Sequence, residues 1–379
     1  MKKSLIAVAA LAAVGAASAQ SSVTLYGVID TGYGMEQTKQ KLSVGATANA
    51  TAFSVTEKRR SVGLMSGNLS GSRWGLKGQE DLGNGLSAVF NVEAGFDSTN
   101  GSFNGGFNRR SVVGLKGSFG QVLLGRDYTP MDEIGGGDYY QVSDLVTGDG
   151  VITLSDGSTI GKDLYTKRAD GIHYAGEFGG VGVKAFVGYN EDKTTTTVNT
   201  IAGGTTTSGR TREEGYGVGV SYAGGPFRVG ASVQQFRTKN STSTTAKQTQ
   251  YGIGASYDFT AAKLYAHYIA NDDRDSKPMQ QFGLGVTAPF GAFTLGAQYA
   301  YNYWKGPTYA VAYGGTTYGF ASSDKAKGHD FVLQGTYALS KRTDLYARAA
   351  RTNSWKAKNA AHTSDTKTDS FAVGIRHRF

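Results

Sequence analysis

The sequence predicts an all-β protein, a 16-stranded antiparallel transmembrane β-barrel. Three observations lead to this fold class. Apolar and polar side chains alternate within segments of about ten residues, the connections between segments are alternately short and long, and the composition favours strands. Glycine accounts for 55 of the 379 residues, about twice its usual share of roughly 7%. The chain also contains 22 tyrosines and 18 phenylalanines but only 5 prolines.

The composition excludes several classes of protein. Since the sequence has no cysteine, it contains no disulfide scaffold, thiol nucleophile or cysteine-bound zinc. Glycine shows no strict three-residue period, which excludes collagen. Beyond the N-terminus no segment approaches 18 consecutive apolar residues, so a multi-span helical membrane protein is excluded too. Hydrophobic residues make up only 39% of the chain, which argues against a thick apolar core.

The first 19 residues predict a cleaved secretory signal peptide. A basic start at Lys2 and Lys3 is followed by an apolar run at 5–17 and by the small-residue cleavage site Ala-Ser-Ala at 17–19. The apolar run is too short to anchor the chain across a bilayer. The remaining residues, 20–379, form one predicted barrel domain. An exported protein without cysteine indicates the envelope of a Gram-negative bacterium, and the barrel pattern places it in the outer membrane.

The strands are predicted from period-two alternation. In 86–97, Leu86, Phe90 and Val92 share an apolar face opposite Asn91 and Glu93. The last strand, 370–379, alternates in the same way. Sixteen such segments begin near residues 23, 72, 86, 108, 121, 167, 181, 215, 227, 249, 263, 280, 293, 328, 344 and 369. A soluble β-sandwich also alternates, but it would bury the second face, which here is rich in glycine, serine, glutamine, asparagine, arginine and lysine.

The connections indicate which side of the membrane each strand end faces. Short turns such as 81–85 and 340–344 alternate with long polar loops, and an even strand number brings both termini to the same side. Outer-membrane barrels have short periplasmic turns and longer outer loops. The long loops are expected at 35–70, 98–107, 129–166, 191–213, 237–248, 272–279, 305–327 and 355–367.

Five motifs in this order resemble the trimeric general porins of Gram-negative bacteria, especially the betaproteobacterial branch. They are SVTLYGVID at 22–30, GSRWGLKGQEDLG at 71–83, FNRRSVVGLKG at 107–117, LGRDY at 124–128 and VGIRHRF at 373–379. The resemblance covers the whole mature chain. It implies a homotrimer and a third loop folded into the lumen. It also implies that Phe379, which ends the alternating last strand, is the signal read by the barrel-assembly machinery.

The resemblance also implies a pore constriction. Porins of this family set ion selectivity with basic residues on the barrel wall that face acidic residues on the third loop. The matching wall positions are Arg73, Arg109 and Arg168, although strand parity alone does not separate Arg109 from its neighbour Arg110. The matching loop acids are Asp132, Glu133 and Asp138. Strand parity adds further inward candidates, namely Lys77, Lys184, Arg348, Arg376 and Arg378 as bases and Asp30, Glu93 and Asp258 as acids.

Other candidate sites carry weaker signals. The 5 histidines are scattered and show no metal-ligand spacing, so no metal site is expected. The acidic run at 271–275 is a candidate for a divalent ion at the outer rim, although a solvated loop is the simpler explanation. A net charge of +9 is compatible with nucleic-acid binding, but export and the barrel pattern argue against that function.

The expected function is a water-filled outer-membrane channel for passive diffusion of small hydrophilic solutes and ions, with a preference for anions. Two alternatives remain. A substrate-specific channel on the same barrel would carry a run of aromatic residues along the lumen, which the inward positions do not clearly show. An adhesin or structural barrel plugged by its loops is the other. Neither enzymatic activity nor a cofactor is expected. The expected partners are two further copies of the chain, outer-membrane lipid including lipopolysaccharide, the barrel-assembly machinery, and small solutes and anions.

Overall fold

The structure is a computed structural model. It describes residues 22–46, 51–103, 105–136, 152–153, 159–160, 165–200, 203–240, 246–273, 276–305, 309–313, 316–320, 325–358 and 361–379. The predicted signal peptide, 1–19, lies outside these residues.

The described chain is almost entirely antiparallel β-structure. The first strands are β1 Ser22–Val44, β2 Phe53–Ser66, β3 Arg73–Gly83, β4 Leu86–Gly95, β5 Arg110–Gly117 and β6 Gly120–Tyr128. A short helix α1, Pro130–Gly135, and the two-residue strands β7 Ile152–Thr153 and β8 Thr159–Ile160 follow. The middle strands are β9 Arg168–Phe178, β10 Val181–Thr200, β11 Gly203–Gly224, β12 Phe227–Asn240, β13 Ala246–Asp258, β14 Lys263–Asp273, β15 Ser276–Phe290 and β16 Phe293–Lys305. The last strands are β17 Tyr309–Tyr313, β18 Thr316–Phe320, β19 Lys325–Ala338, β20 Thr343–Lys358 and β21 His362–Arg378.

The sheet closes on itself, because the first strand pairs with the last. On one side β1 pairs with β21 over 28–44. On its other side β1 pairs with β3 over 22–28 and with β2 over 31–44, so that β2 and β3 share one position in the wall. The hairpins β7–β8 and β17–β18 form separate two-stranded sheets. The wall therefore has sixteen positions, and the predicted 16-stranded antiparallel barrel is confirmed. Closure pairs the described wall strands on both sides, as strands that cross lipid require.

Three of the expected long loops are instead strand extensions. The region 35–70 contains the paired ends of β1 and β2, 191–213 continues the ladder of β10 and β11, and 355–367 contains the ends of β20 and β21. Hydrophobic alternation marks only the part of a strand that faces lipid. Polar segments such as the threonine run at 194–197 extend the ladder beyond that band, because a neighbouring strand already offers hydrogen-bond partners.

The two faces of the wall follow the predicted alternation of apolar and polar residues. The outer face exposes large apolar side chains, among them Leu25, Leu64, Leu284, Leu333 and Phe371. The inner face carries polar residues such as Gln234, Gln250, Gln281, Gln298 and Asn302, which are buried inside the barrel. An outer face of this kind suits hydrocarbon, and the inner face suits a wet lumen.

Within the described ranges, no helix is both long enough and apolar enough to cross a membrane.

The third loop enters the lumen, as predicted. Helix α1 packs against the inner faces of β10 to β14, and the Ser232 hydroxyl donates a hydrogen bond of 2.9 Å to the Pro130 carbonyl. Met131 and Ile134 are 0% and 1% exposed. Helix α1 is therefore fixed to the inner wall by packing as well as by hydrogen bonds.

Isolated aromatic residues face inward at two places, although the inward positions show no clear aromatic run in the sequence. Trp304 and Trp355 face inward and meet edge to face with ring centroids 6.5 Å apart. They belong to an apolar cluster that also contains Leu42, Met131, Ile134, Ile269 and Met279. Phe186 stacks between His173 and Phe236 on the inner wall. Single large residues among glycine and alanine neighbours escape a search for runs. Trp304, Trp355 and Phe186 are less than 10% exposed, so they pack the interior instead of lining an open path.

Candidate pore constriction

Arg73 and Arg109 meet at one carboxylate on the inner wall. Glu93 of β4 faces inward, because it lies opposite Gly75 of β3 and shares the face of Tyr26. Its Oε1 atom lies 2.6 Å from Arg109 Nε, and its Oε2 atom lies 3.6 Å from Arg73 Nε. The Tyr26 hydroxyl donates a third contact of 3.0 Å to the same carboxylate. Glu93 thus holds the two predicted arginines together.

Tyr128 connects Arg168 to the same group. Its hydroxyl oxygen accepts hydrogen bonds from Arg168 at 3.1 Å and from Arg109 at 2.8 Å, and the Arg168 guanidinium lies 4.6 Å from the centre of the Tyr128 ring. Strand pairing puts Arg168 on the face of the exposed Ile172, so parity alone does not explain this contact. Both Arg168 and Tyr128 stand at strand ends, where the side chains are no longer constrained by a continuing ladder.

Arg110, which strand parity did not separate from Arg109, is also part of this group. It pairs with the inward-facing Glu93 across β4 and β5, and its Nε atom lies 2.6 Å from Asp127 Oδ1. Its guanidinium lies 5.2 Å from the centre of the Tyr128 ring. Arg109 precedes the strand and reaches Glu93 from the connecting segment. Both arginines therefore contribute to what we call the arginine cluster, consisting of Arg73, Arg109, Arg110 and Arg168.

The arginine cluster carries an excess of positive charge. Its four guanidinium groups carry four positive charges, and two carboxylates, Glu93 and Asp127, carry two negative charges. The net charge is therefore +2. A hollow of about 380 Å³ adjoins Arg110 and is also lined by Lys77 and Lys116. Arginine suits this position because it stays charged at any physiological pH. The basic character thus continues along the wall beside the cluster.

The predicted acids of the third loop lie against another part of the wall. Glu133 Oε2 lies 3.1 Å from Lys184 Nζ on β10, so this acid is paired with an inward lysine. Asp132 Oδ1 accepts a hydrogen bond of 3.5 Å from the Tyr165 hydroxyl. Asp138 lies outside the described residues. The structure therefore brings the predicted arginines together and places Glu133 opposite a base that the sequence also predicted to face inward.

The end of the third loop that returns to the wall is fixed to two inward glutamines, which the sequence did not single out. The Thr129 hydroxyl donates to the Thr166 carbonyl at 2.6 Å, so the two ends of the loop are joined. The Thr166 N–H donates to Gln250 Oε1 at 2.8 Å, and Gln234 Nε2 donates to the Thr166 carbonyl at 3.0 Å. The only signal of Gln234 and Gln250 in the sequence is that each is a polar residue at an inward position.

Asp30 has a structural role instead of the predicted role as a wall charge. It is fully buried, and its Oδ2 atom accepts hydrogen bonds of 2.7 Å from the N–H groups of Leu69 and Ser70. Its Oδ1 atom accepts a hydrogen bond of 2.7 Å from the Tyr346 hydroxyl. The carboxylate therefore holds the segment between β2 and β3 instead of facing the solution in the lumen.

Phe379 lies at the seam where the barrel closes. Its N–H and carbonyl groups exchange hydrogen bonds of 3.1 and 3.0 Å with Gly27 of β1. Its ring lies over Gly27, where the absence of a side chain makes room for it. The terminal aromatic residue thus pairs with the first strand, a position compatible with its predicted part in assembly.

Comparisons with known proteins agree with this architecture. Residues 7–357 match the family model described as Gram-negative porin. The chain belongs to the Gram-negative porin family. This porin is 35% identical to an outer membrane porin of Bordetella pertussis and 32% identical to outer membrane porin protein 32 of Delftia acidovorans, with both chains of each pair covered completely. Its fold is similar to that of an anion-selective porin from Comamonas acidovorans, with a TM-score of 0.62 and 26% identity over 95% of this chain and 100% of the other.

Family and fold together establish the general function. This porin forms a water-filled channel in the outer membrane for small hydrophilic solutes and ions. Porins of this family and fold are channels and not enzymes.

Proposed function

We propose that this porin prefers anions and that the arginine cluster sets this preference. The observation that carries the proposal is the net charge of +2 on the inner wall where Arg73, Arg109, Arg110 and Arg168 converge. The solved porin from Comamonas acidovorans, which is described as anion-selective, supports the same direction.

The physical basis is a local field. At 0.15 M salt the screening length is about 8 Å, so an ion passing the cluster at that distance still interacts with its charges. A single unneutralised charge at about 8 Å in water contributes about 0.5 kcal/mol without salt and about 0.2 kcal/mol at 0.15 M, which changes the local concentration of a monovalent ion about 1.4-fold at that salt. A positive charge raises the local concentration of chloride and lowers that of potassium, so both effects increase the ratio of chloride to potassium permeability. The preference for chloride over potassium therefore weakens as salt rises.

We further propose that the third loop provides the acidic side of a transverse field. Glu133 supports this role because it lies in α1, inside the lumen, with Lys184 beside it. Asp132 belongs to the same helix, and Asp138 completes the proposed acidic set. Opposed charges across a narrow passage orient and separate permeating ions, as in other selective pores.

Reversal potentials in planar bilayers test the proposal. Arg73→Glu and Arg109→Glu are each expected to shift the reversal potential toward cation selectivity. The control, Lys325→Glu, changes the same charge on the outer face and is expected to have a much smaller effect. A wild-type pore that is cation-selective at low salt, or equal effects of all three variants, would show the assignment to be wrong.

Assembly follows from the family as a further proposal. We propose a homotrimer that is inserted by the barrel-assembly machinery, with Phe379 as the signal and with residues 1–19 removed on export. The segment 98–107 is the proposed contact with a neighbouring subunit, and its turn is held by Asp97, which accepts hydrogen bonds from the Thr99 N–H and hydroxyl at 2.8 and 2.7 Å. These bonds lower the pKa of the Asp97 carboxyl. Light scattering that gives a monomer in mild detergent would contradict the trimer.

A further inference from the structure

Residues 67–72, which connect β2 to β3, leave the barrel wall. The first strand, β1, pairs with β2 as far as Ser66 and with β3 from Arg73. Between these two ladders β1 offers only Ile29 and Asp30, so the connecting residues are too many to stay in the wall. We call 67–72 the inner segment, because its side chains contact residues of the inner face.

The inner segment contacts inward side chains of β20 and β21. The Asn68 amide donates a hydrogen bond of 2.8 Å to the Tyr346 hydroxyl, and Arg376 Nη1 donates one of 2.8 Å to the Ser70 hydroxyl. Tyr346 is buried, whereas the preceding residue, Leu345, is exposed on the lipid side, so Tyr346 faces the lumen. The inner segment therefore lies against the inside of the wall.

The same segment contacts two members of the arginine cluster. Arg73 Nη1 donates a hydrogen bond of 3.1 Å to the Gly71 carbonyl. A Cβ atom added to Gly71 would lie 3.3 Å from Arg109 Nη1, so the backbone of the segment lies close to that guanidinium as well. Arg73 and Arg109 are the two arginines that share Glu93. The position of Gly71 therefore influences where both guanidinium groups lie.

Asp30 fixes the inner segment at its ends and in its middle. Its carbonyl accepts a hydrogen bond of 2.9 Å from the Gly67 N–H, and its N–H donates one of 3.0 Å to the Ser72 hydroxyl. Its carboxylate accepts the N–H groups of Leu69 and Ser70, as described above. Hydrogen bonds to a carboxylate are roughly twice as strong as those between neutral groups. The fully buried carboxylate of Asp30 is thus the main support of the segment.

We propose that Asp30 is a positioning residue for ion selectivity, which acts through the inner segment on Arg73 and Arg109. The carboxylate holds Leu69 and Ser70, these residues hold Gly71, and Gly71 supports the two guanidinium groups beside Glu93. Without this support the arginines take up other positions, and the positive field at the passage weakens. The inference rests on the proposed function of the arginine cluster.

The first test separates position from charge. D30N and D30A remove the same negative charge, but only asparagine keeps a side-chain oxygen that can accept the N–H groups of the inner segment. D170N and D170A are the matched control pair, since Asp170 is exposed and paired with Arg126. Reversal potentials in a salt gradient give the ratio of chloride to potassium permeability for each channel. D30A is expected to have a lower ratio than D30N, and the two control variants are expected to have equal ratios.

The size of the effect follows from the field of one charge. At 0.15 M salt a charge about 8 Å from the passage changes the concentration of each ion about 1.4-fold in opposite directions, so each guanidinium that moves away lowers the ratio by up to roughly twofold. Equal ratios for D30A and D30N would overturn the proposal.

A second variant serves if D30A does not assemble. Y346F removes the hydroxyl that donates to Asp30 and accepts from Asn68, and it changes no charge. Its permeability ratio is expected to fall below that of the wild type, for the same reason as in D30A. A ratio equal to that of the wild type would overturn the proposal.

A double-variant comparison shows whether the effect passes through the arginines. Y346F is expected to change the ratio much less in an R73Q/R109Q background than in the wild type, because the two guanidinium groups that depend on the inner segment are then absent. An unchanged effect in that background would overturn the positioning role. If the Arg73→Glu and Arg109→Glu variants themselves leave selectivity unchanged, the proposed function of the cluster is wrong. If they shift it and Y346F does not, only the role of Asp30 is wrong.

Discussion

The side chain of Gln250 accepts a hydrogen bond of 2.8 Å from the backbone N–H of Thr166, at the point where the third loop returns to the wall. Gln234 donates to the same Gln250 oxygen at 2.6 Å, so that two adjacent strands hold one loop end. All these polar groups are inside the barrel, where the loss of one partner leaves another unsatisfied. These two amide side chains therefore fix the returning end of the third loop to the inner wall.

Replacement of Gln250 is expected to loosen the third loop. Gln250→Ala removes the acceptor for Thr166 and leaves a half-buried N–H without its partner, at a cost of about 1 kcal/mol. We expect single-channel recordings to show additional conductance levels or increased current noise. Gln235→Ala is the control, since Gln235 bonds Tyr216 and Thr249 on the outer face. Unchanged recordings from Gln250→Ala would show that packing of α1 alone holds the loop.

Removal of the central carboxylate is expected to strengthen anion selectivity. Glu93→Gln raises the net charge of the arginine cluster and its two carboxylates from +2 to +3, and it leaves Arg73 and Arg109 without their shared counter-ion. The reversal potential should move further toward chloride, while heat resistance should fall because the arginines then repel each other. Glu80→Gln, near the opposite end of β3, provides the control. A shift toward potassium would contradict the assignment of a net positive charge to the cluster.

The pair formed by Glu133 and Lys184 allows a double-mutant test. Each partner alone is expected to change selectivity in opposite directions, because Glu133→Gln frees a lysine and Lys184→Gln frees a carboxylate in the lumen. The double variant should lie close to the wild type in reversal potential, since the pair is neutral. Effects of the two substitutions that add in the same direction would mean that these residues do not act as a pair in the open channel.

Closure of the barrel at its terminal residue is expected to depend on Gly27. A side chain at Gly27 would meet the Phe379 ring and would lie 2.7 Å from the Arg73 carbonyl, so Gly27→Val should displace Phe379. We expect less folded barrel in the outer membrane and lower heat resistance on gels. Gly335→Ala is the control, because its added Cβ has its nearest neighbour at 3.5 Å. Deletion of Phe379 is expected to lower the assembly yield as well. An unchanged yield after this deletion would show that the residue serves only to end the strand.

The sequence by itself determined the barrel, its strand number and most of the inward and outward faces. It could do so because lipid on one side and water on the other impose a period of two on every spanning strand, so that each strand carries its own signal. The same alternation predicted the inward positions of Lys184 and Glu93. It could not separate Arg109 from Arg110, because the signal fades at a strand end.

Only the tertiary structure decided which charges act together. Glu93, Tyr128 and the four arginines come from five different strands and their ends, and their contacts depend on the stagger between strands, which local alternation does not encode. Asp30 has the parity of a lumen charge, yet the fold uses its carboxylate to hold the segment between β2 and β3. Trp304 and Trp355 have inward parity, and only the fold supplies Met131 and Ile134 of the third loop to the apolar cluster that they join.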